Sequence, residues 1–201
     1  MTLRVPHPLS LSLLTLAVVV VAVGMQFGIP IYLRQQAVMR IRRLGGSVET
    51  IRRGPGWLRQ RLGNERMQVF DDTETVNLQG IPFTDDDLAK LRCLKGVRTL
   101  NLQYTEVTDV GLKHLARRTT PHDLTALNLS GTNVTVAGME SLAGQTNLVL
   151  LRLRGTHVSN DCLVKLKRLT ALARLDLVGT GVTAEGIAEI RGALPHADVE
   201  Y

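Results

Sequence analysis

Apolar and polar positions follow one rhythm, repeated five times between residues 73 and 190. The segments run from Thr73 to Leu91, Val97 to Leu115, Leu124 to Leu142, Leu148 to Leu166 and Leu172 to Ile190, with offsets of 24, 27, 24 and 24 residues. Each opens with alternating apolar and polar residues: Val76/Leu78, Leu100/Leu102, Leu127/Leu129, Leu151/Leu153 and Leu175/Leu177. Period-two alternation marks a strand with one buried face. The pattern predicts strands at 75–79, 99–103, 126–130, 150–154 and 174–178. A turn follows, Phe83, Val107, Val134, Val158 and Val182 re-enter the core, and the spacing becomes helical. Leu88/Leu91, Leu112/Leu115, Met139/Leu142, Leu163/Leu166 and Ile187/Ile190 lie three apart, on one helix face. Thr84, Thr108, Thr135, Ser159 and Thr183 precede these helices, where a hydroxyl can accept free backbone N–H groups.

A repeat that cannot bury its apolar face alone must stack on its neighbours, and both ends of the stack need covering. At the front, Ser47 to Ile51 reads as an extended segment and Pro55 as a helix start. Trp57, Leu58 and Leu62 would then cover the first repeat, with a membrane-interface anchor as the other reading of Trp57. At the back, Ala193 to Tyr201 reads as a truncated sixth strand closed by Val199. The three extra residues of the second repeat, within Arg117 to Asp123, read as a bulge on the helix side.

The shared pattern L-x-x-L-x-L-x-G-T-x-V-T-x-x-G-L-x-x-L resembles the leucine-rich repeat family, and more narrowly the short membrane-anchored repeat proteins of planctomycete-type bacteria. The lead-in around Ile41 to Thr50 and Pro55 to Gly63 resembles the front of those proteins less specifically. The resemblance implies an α/β fold: a right-handed solenoid with parallel strands on the concave face and short helices on the convex face. It also implies a recognition module.

Ahead of the repeats, Leu9 to Leu33 is a stretch of 25 residues without a charged side chain. About 20 such residues span a bilayer core. The first reading is therefore one transmembrane helix in front of the solenoid. The second is a cleaved signal peptide with Ala22-Val23-Gly24 as its processing site. The chain then divides into a tail (1–8), an anchor (9–33), a basic juxtamembrane segment and cap (34–68), and the repeat domain (69–201).

The net charge of +6 belongs to the front: residues 1–68 carry ten Arg against Glu49 and Glu65, while residues 69–201 carry 14 basic and 16 acidic residues. Arg34, Arg40, Arg42 and Arg43 behind the anchor, against Arg4 before it, lean toward a single-pass protein with a cytoplasmic solenoid. The same arginines suit anionic headgroups. With three Phe, three Tyr and one Trp in 201 residues the core is aliphatic, and no stacking platform for nucleic acid is expected.

His7, His114, His122, His157 and His196 have no metalloprotease spacing, and neither a nucleophile elbow nor a phosphate loop occurs. His114 and His122 flank Arg117 and Arg118, a small candidate anion site whose bland reading is a solvated loop. Asp85, Asp86 and Asp87 suit the first turn of a helix better than a calcium loop. Cys93 and Cys162 sit about three strand spacings apart, too far to bridge. Neither catalysis nor a metal or other cofactor is expected. The outward strand positions remain. Thr75/Asn77/Gln79, Thr99/Asn101/Gln103 and Ala126/Asn128/Ser130 are neutral, with Asn77, Asn101 and Asn128 expected to stack as a ladder. Leu150, Arg152, Arg154, Arg174 and Asp176 bring charge beside apolar surface, with Arg152 and Asp176 expected to pair. That patch is the candidate site for a protein or peptide partner. A spacer or accessory subunit with an unused concave face is the alternative.

Overall fold

A computed structural model describes residues 18, 24–53, 55–67, 71–94, 96–116 and 124–201. The tail 1–8, most of the 9–33 segment and the insertion at 117–123 lie outside the described residues. The strands are β1 (Ser47–Ile51), β2 (Asp72–Asn77), β3 (Thr99–Asn101), β4 (Ala126–Asn128), β5 (Leu150–Arg152), β6 (Arg174–Asp176) and β7 (Asp198–Glu200). The helices are α1 (Ile29–Arg43, entered by a π-helical turn Gly24–Gly28), α2 (Gly56–Leu62), α3 (Asn64–Met67), α4 (Asp85–Lys90), α5 (Asp109–Ala116), α6 (Val136–Leu142), α7 (Leu163–Leu166) and α8 (Ala184–Ala193). All the strands form one sheet in sequence order. β1 is antiparallel to β2, and every later pair is parallel, as helical crossovers require.

The repeat residues meet as their spacing demands. Val76, Leu100, Leu127, Leu151 and Leu175 share one register row and are buried, with Leu78, Leu102, Leu129, Leu153 and Leu177 in the row behind. The helix-face residues Leu88, Leu112, Met139, Leu163 and Ile187 close the same core from the other side. β3 to β6 are three residues long where five were expected, because the chain turns early. The ladder nonetheless runs on: the Leu102 N–H donates to Asn128 O at 2.8 Å and the Gly131 N–H to Arg154 O at 2.8 Å. The turn residue has positive φ in each repeat, and is Gly80, Gly131, Gly155 or Gly179 except at Tyr104 (φ 53°). The consensus Thr one residue later has a duty the pattern alone did not reveal. The hydroxyls of Thr105, Thr132, Thr156 and Thr180 donate to the carbonyls of Leu102, Leu129, Leu153 and Leu177 at 2.6 to 2.7 Å, sealing the turn.

The helix caps also join the repeats. Thr108, Thr135 and Thr183 accept N–H groups of their own helices, whereas Thr84 and Ser159 do not. Asp85 takes both the N–H and the hydroxyl of Thr108 at 2.8 and 2.6 Å, and Asp109 does the same to Thr135 at 2.8 and 2.6 Å. Asn160 holds Thr183 in the same place with one bond reversed: its Oδ1 accepts the Thr183 N–H and its Nδ2 donates to the Thr183 hydroxyl oxygen, each at 3.0 Å. Val136 stands at this position in the third repeat and has no polar side-chain atom with which to clamp Ser159. Among the three consecutive aspartates, Asp85 is therefore a clamp, Asp86 is exposed, and buried Asp87 receives Arg40 Nε at 2.6 Å.

The front cap differs from the expected one. Trp57 is 65% exposed and Leu62 40% exposed, and α2 buries no residue. The covering element is α1, whose Ala37 and Ile41 are buried, with Val38, Leu44 and Val48 packed beside them. α1 with β1 thus acts as a unit in front of the first repeat. α2 is held by charge instead: Arg59 pairs with nearly buried Asp71, whose carboxylate also accepts the Arg53 N–H at 2.9 Å. At the back, β7 buries Val199. Among the described residues no helix is long and apolar enough to cross a membrane.

Candidate functional site

The sheet face turned away from the core consists of straight rows of side chains. One row is Thr75, Thr99, Ala126, Leu150, Arg174 and Asp198; the next is Asn77, Asn101, Asn128, Arg152, Asp176 and Glu200. The amides do form a ladder, but with different partners from those expected. Asn101 Nδ2 donates to Gln79 Oε1 at 3.3 Å and Asn128 Nδ2 to Gln103 Oε1 at 3.1 Å. The Oδ1 atoms of Asn77, Asn101 and Asn128 accept the N–H two residues on, at 3.0 to 3.1 Å. A short amide at the strand end thereby satisfies the backbone where the chain leaves the sheet. The neutral half is occupied with holding its own turns, and Asn128 and Ser130 are buried.

The charged half is different. Leu150, Arg152, Arg154, Arg174 and Asp176 line one recess of about 300 Å³, which also takes in Asp198 and Glu200 from β7. Asp176 keeps the amide's local duty, accepting the Val178 N–H at 3.0 Å. Arg152 lies beside Asp176 in register, yet they do not form the expected ion pair, and Arg154 and Arg174 are equally without one among the described residues. All three arginines are exposed. Three guanidinium groups and three carboxylates thus share a small concavity with their charges not spent on each other. Arg174 has an acid in its row, Asp198. Extending the 24-residue offset from Arg174 and Asp176 reaches Asp198 and Glu200, a signal present in the sequence but obscured by the incomplete last repeat.

The other sequence candidates separate. His122, Arg117 and Arg118 fall outside the described residues, so the anion site drawn from them lies there too. Cys162 is buried in the core, and desolvation pushes its thiol up to about 11, a value suited to packing and unsuited to nucleophilic work. No disulfide joins it to Cys93. Among the described residues no group of three or more His, Cys, Asp or Glu is placed to hold a metal ion.

The family described as Leucine Rich repeat matches residues 97–116 and 120–143. Among solved structures, internalin C2 from Listeria monocytogenes is similar at 26% identity and a TM-score of 0.44, over 55% of this chain and 44% of that one. A Leptospira interrogans LRR protein is similar at 18% identity and a TM-score of 0.40, over 62% of this chain and 35% of that one. The matched region spans less than half the length of either protein. No curated protein matches the sequence significantly.

Proposed function

We propose that this leucine-rich repeat protein is a membrane-tethered binding module that holds a protein or peptide partner on the charged half of its sheet face. The observation that carries the reading is the recess at β5 to β7, where Arg152, Arg154 and Arg174 are exposed and form no ion pair with the acids beside them. Arginine forks offer planar, directed donors and dominate binding hot spots with aromatic residues. The carboxylates of Asp176, Asp198 and Glu200 favour a partner segment with both acidic and basic groups, and Leu150 supplies apolar contact. The amide half has few polar groups to offer.

The tether rests on the apolar segment 9–33, whose length is sufficient to span a bilayer. Mass spectrometry of the mature chain decides whether the segment stays: an N-terminus at Met25 would mean a signal peptide and a released solenoid. A retained segment with residues 69–201 spared by protease on intact cells supports the cytoplasmic side, and digestion of that region reverses it.

Crosslinking in native membranes tests the binding reading. A stoichiometric partner captured by the wild-type chain should be lost, by more than about tenfold, in Arg154→Glu with Arg174→Glu, since each hot-spot residue contributes about 2 kcal/mol. Neither side chain reaches the core, so thermal stability stays within about 0.5 kcal/mol. Asn77→Asp with Asn101→Asp should weaken capture far less. If the amide-half pair costs more capture than the arginine pair, the recognition surface lies elsewhere. Repeated absence of any stoichiometric partner favours the spacer.

A further inference from the structure

α1 has two faces with different fates. Ala37 and Ile41 are spent on the first repeat, and Arg34 and Arg40 are drawn inward to Thr73 and Asp87. At about 100° per residue, positions 29, 32, 33, 36, 39, 40 and 43 fall within an arc of roughly 120° away from Ile41. On that arc Ile29, Tyr32, Leu33 and Met39 are 51%, 60%, 48% and 41% exposed. The same arc carries Gln36, Arg40 and Arg43, so four large exposed apolar side chains stand beside basic ones on this face. Beside it, between α1 and the turn after α4, runs a groove of about 740 Å³. Leu33, Met39 and Leu44 form its apolar wall, and Arg43 and Arg92 stand at its rim. Arg40 and Lys90 also border it but are paired with Asp87. Arg43 and Arg92 are exposed and form no ion pair among the described residues.

We propose that this groove holds the headgroup region of an anionic phospholipid from the bilayer in which the chain is tethered. The inference rests on the tether reading. The phosphate sits between Arg43 and Arg92, and the glycerol and first methylenes lie along Met39 and Leu33, toward the apolar end of α1. Three observations argue for a bilayer lipid over other occupants. The cations are unneutralised beside an apolar wall, which is the polarity of a lipid headgroup and its chains. Tyr32 stands on the same face, at the boundary such rings prefer. In sequence, α1 begins inside the uncharged stretch Leu9 to Leu33, so the α1 residues of the groove stand at or just after the end of that stretch. Basic side chains near an anionic surface bind additively, so two of them give a selectivity of at least about tenfold over a neutral lipid.

The experiment uses the full chain in nanodiscs of phosphatidylcholine containing a trace of photoactivatable phosphatidylglycerol or photoactivatable phosphatidylcholine, with labelled peptides mapped by mass spectrometry. Labelling of α1 and of residues 88–93 should favour phosphatidylglycerol by at least about tenfold and resist millimolar inorganic phosphate. Arg43→Glu with Arg92→Glu should reduce it to the phosphatidylcholine level, while Arg43→Lys with Arg92→Lys retains most of it. Circular dichroism melts of each variant confirm the fold. Equal labelling by the two lipids, an unchanged pattern in the Glu variant, or displacement by inorganic phosphate overturns the site. Alkaline carbonate extraction separates the two readings. Release of the wild-type chain overturns the tether and the site together, whereas retention without lipid selectivity overturns the site alone.

Discussion

Adding one methyl group at Gly138 should destabilise the solenoid, although helix propensity argues for the opposite. Gly138 lies in α6, where alanine is preferred over glycine by about 0.8–1 kcal/mol. A Cβ there would stand 2.4 Å from Asp109 Oδ1, 2.9 Å from Leu112 Cδ1 and 3.0 Å from Val134 Cγ1. Asp109 cannot retreat without releasing both bonds to Thr135. Losing that clamp costs about 1.5–3 kcal/mol, and overpacking a tight site about 1–3 kcal/mol. After the propensity gain, Gly138→Ala should lose about 2–4 kcal/mol, measured as the guanidinium chloride midpoint of the full chain in detergent. Gly192, in α8, has nothing within 4 Å of its Cβ position, so Gly192→Ala should gain about 0.5–1 kcal/mol. Combining Asp109→Ala with Gly138→Ala should cost less than the two single changes added, by at least about 1 kcal/mol, since the clash is gone. A Gly138→Ala midpoint at or above wild type, or strict additivity in the double variant, would refute the reasoning. The same logic accounts for the repeat that breaks the rule. Gly111, Gly138 and Gly186 each face Asp85, Asp109 or Asn160 of the preceding repeat, whereas Cys162 follows the repeat that has Val136.

Leu127→Ala or Leu151→Ala should cost about 2–5 kcal/mol in the same melts, and a loss below about 1 kcal/mol would mean that these fully buried residues are not core. Tyr104→Gly should be neutral or stabilise by up to about 1 kcal/mol, because its backbone occupies the left-handed region and its ring is 63% exposed; a loss above 1 kcal/mol would show that the ring over Gly131 holds the turn. Acid should loosen the front cap first. Burial raises the Asp71 and Asp87 carboxyls, but hydrogen bonds from Arg59 and the Arg53 N–H to Asp71, and from Arg40 to Asp87, outweigh it and hold both below the usual 3.8. A folded value below the unfolded one gives stabilisation that is complete above the ordinary carboxylate range and is lost as pH falls through the folded value. Hydrogen exchange in α1 and β1 should therefore rise below about pH 4 ahead of β4 to β6, and Asp87→Asn should flatten the dependence in α1. An unchanged pH profile in that variant would remove Asp87 from the account.

The repeats were legible because each repeat position has one local duty. Alternation specified which strand residues face inward, i, i+3 spacing specified the helix face, and the recurrence at 24 residues placed Leu127 beside Leu151 without any tertiary information. The same recurrence brought Leu150, Arg152, Arg154, Arg174 and Asp176 onto adjacent strands, since parallel register in a solenoid follows from the repeat length. What depended on distance between repeats was not legible. Whether Arg152 pairs with Asp176, whether Asn101 turns to Asn77 or to Gln79, and why glycine recurs at 111, 138 and 186 are settled by side-chain reach between repeats, which no single-repeat pattern contains. The front cap was misread for the same reason. Trp57 was the most apolar choice in the lead-in, but helix α1 reaches the open end of the core first, because Ile41 and Ala37 lie on its inner face and Arg40 meets Asp87 there. Local periodicity determined the array; three-dimensional competition for its open end decided what closes it.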